Sequence, residues 1–207
     1  MEFRQLFEGM ELERHLNDHY KYNVDDKDFR DVIMGGSSHA VNDYLWKKHQ
    51  GGYKAAMNTE RYNKELLNTV RATNNVARRI LTPKPMTLYS GTRHDPREIM
   101  NKEGIVHHPA FMSTSTDPHI GKSFGRRNKD LDRSDIHVLR LRINENHPGI
   151  WMHPYAPFSH EKEMLLPSGL DMRHLGTKEK SGLAYGGLWK LKTLIPIKYH
   201  LHDMEIV

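Results

Sequence analysis

No cysteine occurs in the 207 residues. Disulfides and thiolate metal sites are therefore excluded, and the composition suits a reducing compartment. No apolar run approaches the ~20 residues needed to span a bilayer. The opening residues, Met1-Glu2-Phe3-Arg4-Gln5-Leu6-Phe7-Glu8, carry neither a long apolar core nor a cleavage pattern, so no secretory leader is expected. The expectation is a soluble, cytoplasmic protein without a membrane partner.

Familiar cofactor signatures are also missing. There is no Gly-x-Gly-x-x-Gly turn, which argues against a Rossmann-type dinucleotide site. Gly121-Lys122-Ser123 ends like a phosphate-binding loop, but the first glycine of that loop would fall at Thr116. His160-Glu161 begins like a zinc-protease helix, yet Met164 occupies the second histidine position. His107-His108 has no matching histidine–carboxylate spacing. No metal is expected.

What is present is charge. Lysine and arginine exceed aspartate and glutamate by a formal +5, and fifteen histidines add more below neutral pH. Such a balance favours acidic partners, nucleic acid included, although a solvated basic surface accounts for it equally well. The length suits one domain, residues 1–207, able to bury a core without staples.

Residues 1–85 are predicted to be mainly helical. Phe29, Val32 and Ile33 share one side of a short segment broken at Gly35-Gly36. Ser37-Ser38 can cap a helix carrying Val41, Tyr44 and Leu45. Thr59 to Leu81 is predicted as one long helix, because Leu66, Leu67, Val70, Val76, Ile80 and Leu81 recur near helical spacing. Thr82-Pro83-Lys84-Pro85 stops it. Residues 86–207 are predicted to be β-rich. Strands are expected at Met86–Ser90, Ala110–Ser115, Ile136–Ile143 and Glu161–Leu166, with one or two more across Leu188–His200. Asp117–Phe124 is a short helix or turn and Arg126–Asp135 a charged loop. Asn146–Ser159 is a loop with three prolines and three aromatics. Helices first and strands later argue for an α+β fold.

The stretch His160-Glu161-Lys162-Glu163-Met164-Leu165-Leu166 bears most directly on function. On a strand, residues i and i+2 share a face, so Glu161 and Glu163 are expected side by side with Lys162 turned away. Two close carboxylates repel and their proton affinities separate, which gives one residue type two roles. An isolated pair of this kind is more often a solvated edge strand. Here it has companions: Leu88-Tyr89-Ser90-Gly91-Thr92-Arg93, then Phe111-Met112-Ser113-Thr114-Ser115, then Phe124 and Arg127.

Taken in that order, these motifs resemble the ADP-ribosyltransferase family, in its branch with an Arg, Ser-Thr-Ser and Glu-x-Glu signature. The resemblance covers residues 30–207. It implies two packed, mainly antiparallel sheets, preceded by helices, with NAD as substrate in the cleft between them. It implies that Glu163 is the catalytic glutamate and that Ser113 hydrogen-bonds it. Glu161 matches the position that goes with arginine acceptors. Phe124 matches an aromatic against nicotinamide, or else a core residue. Arg127 matches a phosphate contact, with Arg126 its near-equivalent, or else a surface arginine. Gly91 fits a backbone contact to the cofactor, beside Tyr89. Tyr155 and Phe158 fall in the family's target-recognition loop, or else pack that loop. One departure stands out: the family has arginine before the glycine of the first strand, and this chain has Ser90. Either Arg93 reaches back to the phosphates or Ser90 uses its hydroxyl. Size, charge and lack of cysteine resemble the small phage Mod-type enzymes that modify host proteins.

The implied activity is transfer of ADP-ribose from NAD to arginine of a protein, such as one of the host's transcription or translation machinery, in the host cytoplasm. NAD hydrolysis, transfer to nucleic acid, and an inactive binding module are the alternatives. The nicotinamide bond breaks through an oxocarbenium-like state, as in glycosidases, which a carboxylate stabilises. A guanidinium is always protonated and a poor nucleophile, so a second carboxylate must orient it and take a proton.

Overall fold

The long helix forms where the leucine and valine spacing predicts it. In the computed structural model it runs from Glu60 to Arg79. The structure describes residues 11–20, 38–49, 60–92, 94–124, 136–152, 162–186 and 193–207. The described helices are α1 (11–20), α2 (Ser38–His49), α3 (Glu60–Arg79) and α4 (Pro118–Ser123). The strands are β1 (Met86–Thr92), β2 (Ile105–His108), β3 (Met112–Ser115), β4 (His137–Ile143), β5 (Ile150–Trp151), β6 (Glu163–Leu166), β7 (Leu170–Gly186) and β8 (Thr193–Ile206). A 3-10 turn, Pro96–Ile99, separates β1 from β2. No described helix is long and apolar enough to cross a membrane. The segment around Phe29, Val32 and Ile33 and the charged loop 126–135 lie outside the described residues.

The eight strands form one continuous ladder in the order β2-β7-β8-β4-β1-β3-β6-β5. Among the described strands only β4 and β8 pair in parallel, and the other pairs are antiparallel. The α+β fold is thus observed, its mainly antiparallel strands hydrogen-bonded as one sheet in which β1 joins β3 where Tyr89 faces Ser115. The core cluster contains Leu88, Leu141, Ile143, Ile150, Trp151, Met164, Leu166, Met172 and Met204, closed by Leu16 and Tyr20 of α1 and by Val76, Ala77 and Ile80. Burial of such side chains contributes about 1.5–3 kcal/mol each.

Polar contacts fasten the helices to the strands that build the site. Tyr20 donates its hydroxyl to the Gly149 carbonyl at 2.9 Å. The Trp151 indole donates to Asn17 at 2.7 Å. In α2, Val41 and Tyr44 pack with Leu66 and Phe111, and Asn42 accepts from the Phe111 amide at 3.1 Å. The entry to β3 is therefore fixed by a helix far away in sequence.

Three expectations change. The proline-rich stretch 146–159 contains a two-residue strand, β5, because Ile150 and Trp151 pair with Leu165 and Met164. The predicted strand across Glu161–Leu166 begins at Glu163, because Lys162 has φ 48°, in the left-handed region. The last strands differ as well: β7 spans seventeen residues and β8 fourteen, paired as a long hairpin.

Candidate functional site

The centre of the site is a row across three strands. Tyr89 of β1 faces Ser115 of β3, and Ser115 faces Glu163 of β6. Ser113 pairs with Leu165, which puts it on the same face as Glu163 and diagonal to it, within reach of a longer side chain. The Ser113 side chain hydrogen-bonds the Glu163 carboxylate. Burial raises the Glu163 carboxyl above its ordinary range, and the Ser113 hydrogen bond pulls it part of the way back. The Glu163 carbonyl accepts from the Met152 amide at 2.8 Å, so its backbone is fixed from β5.

Each hydroxyl of Ser113-Thr114-Ser115 has a different partner. Ser113 holds Glu163. Thr114 is buried and donates to the Met164 carbonyl at 2.6 Å, locking β3 to β6. Ser115 accepts from the Asp117 amide at 3.0 Å and starts the turn into α4. Asp117 then caps α4 by accepting from the His119 amide at 2.8 Å.

Ser90 is buried and donates its hydroxyl to the Ser113 carbonyl at 2.8 Å. The departure at this position therefore ties β1 to β3 just where the glutamate is held. Gly91 follows in the strand, opposite Val138. Tyr89 is half-buried, and burial raises its phenol above the ordinary range. On the same ladder Arg140 faces Tyr89 and donates from Nε to Asp203 at 2.5 Å.

Helix α4 lies directly on β1. A Cβ built at Gly121 would come within 2.4 Å of Tyr89 Cβ and 2.6 Å of the Tyr89 carbonyl oxygen. The glycine of the phosphate-loop-like Gly121-Lys122-Ser123 thus serves close packing. Phe124, half-buried, caps the helix, its amide donating to the Gly121 carbonyl at 3.3 Å.

The structure brings Tyr89, Ser90, Ser113 and Glu163 together, with Gly91 and Phe124 on the elements beside them. Arg93, Arg126, Arg127, Tyr155, Phe158 and Glu161 lie outside the described residues. The left-handed Lys162 removes the alternation argument for pairing Glu161 with Glu163. Lys162 itself is held by Glu13 of α1, 2.6 Å from Nζ to Oε1.

The histidines sort by environment. His108 lies edge-on to Trp46 and donates from Nδ1 to the Ala110 carbonyl at 2.9 Å. Burial pushes it down to about 4, so it is neutral at physiological pH. His107 pairs with Asp171 at 2.6 Å. Sequence reasoning missed a further group, Asp95, His137 and His202, whose ligand-type atoms lie within 4.8 Å of one another. The alternation His200-Leu201-His202 was its one local signal.

An α+β sheet of this order, with helices preceding the strands, has the architecture of an ADP-ribosyltransferase. The family model for ADP-ribosyltransferase exoenzymes matches residues 16–184, and the chain belongs to that family. No curated protein matches the sequence. Among solved structures, Plx2a, an ADP-ribosyltransferase toxin from Paenibacillus larvae, is similar at 13% identity and a TM-score of 0.66, covering 97% of this chain and 96% of its own. BECa, the ADP-ribosylating toxin of a binary enterotoxin of C. perfringens, was solved with NADH; it is similar at 15% identity and TM-score 0.65, over 96% of this chain and 48% of its own. The ADP-ribosyltransferase Vis, solved with agmatine, is similar at 18% identity and TM-score 0.58, covering all of this chain and 86% of its own.

Proposed function

We propose that this chain is a mono-ADP-ribosyltransferase that transfers ADP-ribose from NAD to arginine side chains of a protein. The observation that carries the reading is Glu163, half-buried at a three-strand junction and held by Ser113. In the proposed reaction the bond between ribose C1′ and the nicotinamide nitrogen breaks, and nicotinamide leaves with the bonding electrons. Glu163, as carboxylate, accepts a hydrogen bond from a ribose hydroxyl and opposes the positive charge that develops on the sugar. A guanidino nitrogen then forms the new bond to C1′, and Glu161 takes its proton. Proton removal of this kind is worth ~10²–10⁴-fold in rate.

Tyr89, Gly91, Phe124 and Arg127 are the proposed walls and contacts for NAD, with Ser113 also on the ribose. Ser90 already donates its one hydroxyl proton to the Ser113 carbonyl. The cationic phosphate contact therefore falls to Arg93 in this reading. Tyr155 and Phe158 are the proposed target-recognition residues. Agmatine, bound in the solved Vis structure, carries the guanidinium of arginine on a small amine and supports an arginine acceptor here. A host protein of the transcription or translation machinery is the acceptor that the Mod-type resemblance suggests.

The test is incubation with NAD labelled in the adenylate, with agmatine and separately with a cell extract. ADP-ribosyl-agmatine and labelled protein are expected. Label on nucleic acid, or free ADP-ribose alone, would replace this reading with one of its enzymatic alternatives, and no turnover with no NAD binding would leave the inactive module.

A further inference from the structure

Three polar side chains meet beside the turn that follows β1. The register brings them together. Thr92 pairs with His137, and His137 with His200. One row along, Ser90 pairs with Leu139, Leu139 with His202 and His202 with Thr177. His137 and His202 thus lie on one face of neighbouring strands, both buried. Asp95 reaches them from the cap of the 3-10 turn, and donor atoms of all three lie within 4.8 Å of one another.

Two features distinguish this group from a chance cluster. First, the imidazoles meet nitrogen to nitrogen, His137 Nδ1 to His202 Nε2 at 2.9 Å. Tetrahedral zinc with Zn–N of about 2.0–2.1 Å spaces its donors about 3.3 Å apart, so a few tenths of an ångström of opening would seat an ion between them. Second, two of the three donors, His202 and Asp95, have the outer hydrogen-bond partner that a ligand needs. His202 Nδ1 is 2.9 Å from Thr177 Oγ1 and 3.4 Å from His174 Nε2, which turns Nε2 towards His137. His137 stacks on His200, ring centroids 5.0 Å apart. Asp95 is oriented by the Arg97 amide and guanidinium.

We propose that Asp95, His137 and His202 form a binding site for a divalent transition-metal ion, zinc above all, with one coordination position left to solvent. Two imidazoles and one carboxylate suit zinc better than calcium or magnesium, which prefer oxygen donors. The ion would clip the 3-10 turn to β4 and β8. Three strand spacings separate β4 from β6, about 14 Å along the sheet, so the ion takes no part in breaking the nicotinamide bond. The site does not depend on the activity proposed above.

Calorimetric titration of zinc into the chelator-stripped full chain tests this, alongside the visible spectrum of the cobalt form. A single zinc equivalent of micromolar or tighter affinity is expected, with the d–d bands of a low-coordinate nitrogen–oxygen site in cobalt. Asp95→Asn keeps an acceptor for the Arg97 amide, and His202→Gln keeps a polar group towards Thr177. Each should weaken zinc by more than about 100-fold, since loss of an outer partner alone costs 10–100-fold. His107→Ala, in the separate pair with Asp171, should leave binding unchanged. No binding at millimolar zinc would mean that the two rings share only a hydrogen bond, and would overturn the proposal. So would binding that survives both Asp95→Asn and His202→Gln in variants with native circular dichroism.

Discussion

Gly121→Ala tests how α4 is set against β1. The added Cβ would lie 2.4 Å from Tyr89 Cβ and 2.6 and 2.8 Å from the Tyr89 carbonyl oxygen and carbon. Carbon atoms in contact prefer about 3.5–4.0 Å, so α4 must lift by roughly 1 Å. The obstruction is largely backbone of a paired strand and cannot swing aside. Alanine in a helix is favoured over glycine by about 1 kcal/mol, while overpacking costs about 1–3 kcal/mol. An overlap this deep against backbone belongs at the upper end, which leaves a net loss of about 1–2 kcal/mol. In a chain of this size that lowers Tm by about 2–8 °C. Because Phe124 caps the same helix, the KM for NAD should rise as well. Differential scanning calorimetry and initial rates over a range of NAD concentrations measure the two effects. An unchanged or higher Tm would refute the close-packing argument, and an unchanged KM would separate Phe124 from the NAD site.

Glu163 gives a stability prediction with a definite sign. Burial raises its carboxyl in the folded protein, so the folded state favours the proton and loses stability as pH rises from the ordinary carboxylate range through the raised value. Glu163→Gln stays neutral and should gain in Tm over wild type as pH rises through that window, with little difference below it; a gain that shrinks with pH would contradict this. Ser113→Ala removes the hydrogen bond that lowers the Glu163 carboxyl, so the acid limb of kcat/KM should move to higher pH, and an unmoved limb would show that Ser113 does not act through Glu163. Arg93→Ala should weaken NAD by about 1.5–3 kcal/mol if Arg93 carries the phosphates, and an unchanged dissociation constant in calorimetry would exclude it.

Periodic burial made α3 legible, since Leu66, Val76 and Ile80 reach the core at helical spacing. The Ser-Thr-Ser run and Glu163 were legible as motifs, but motif order says nothing of the distinct partners of Ser113, Thr114 and Ser115. The strand alternation that the Glu-x-Glu argument assumed does not hold at Lys162, whose φ is 48°, which a lysine seldom announces. The outer part of β7 was hidden because residues 178–183 are exposed or only half-buried; held by its ladder with β8, it shows no apolar alternation. His137 and His202 are far apart in sequence and meet through the parallel β4–β8 register, and Asp95 joins them from the 3-10 turn after β1.

Nicotinamide release by Glu163→Gln, measured beside agmatine modification, tests the central claim most directly. The substitution keeps size and a hydrogen-bonding partner for Ser113 but removes the charge that opposes the developing cation. The account predicts loss of both activities in a protein that still folds and binds NAD, while Glu161→Gln loses agmatine modification and keeps slow NAD hydrolysis. Wild-type agmatine modification by Glu163→Gln would contradict it.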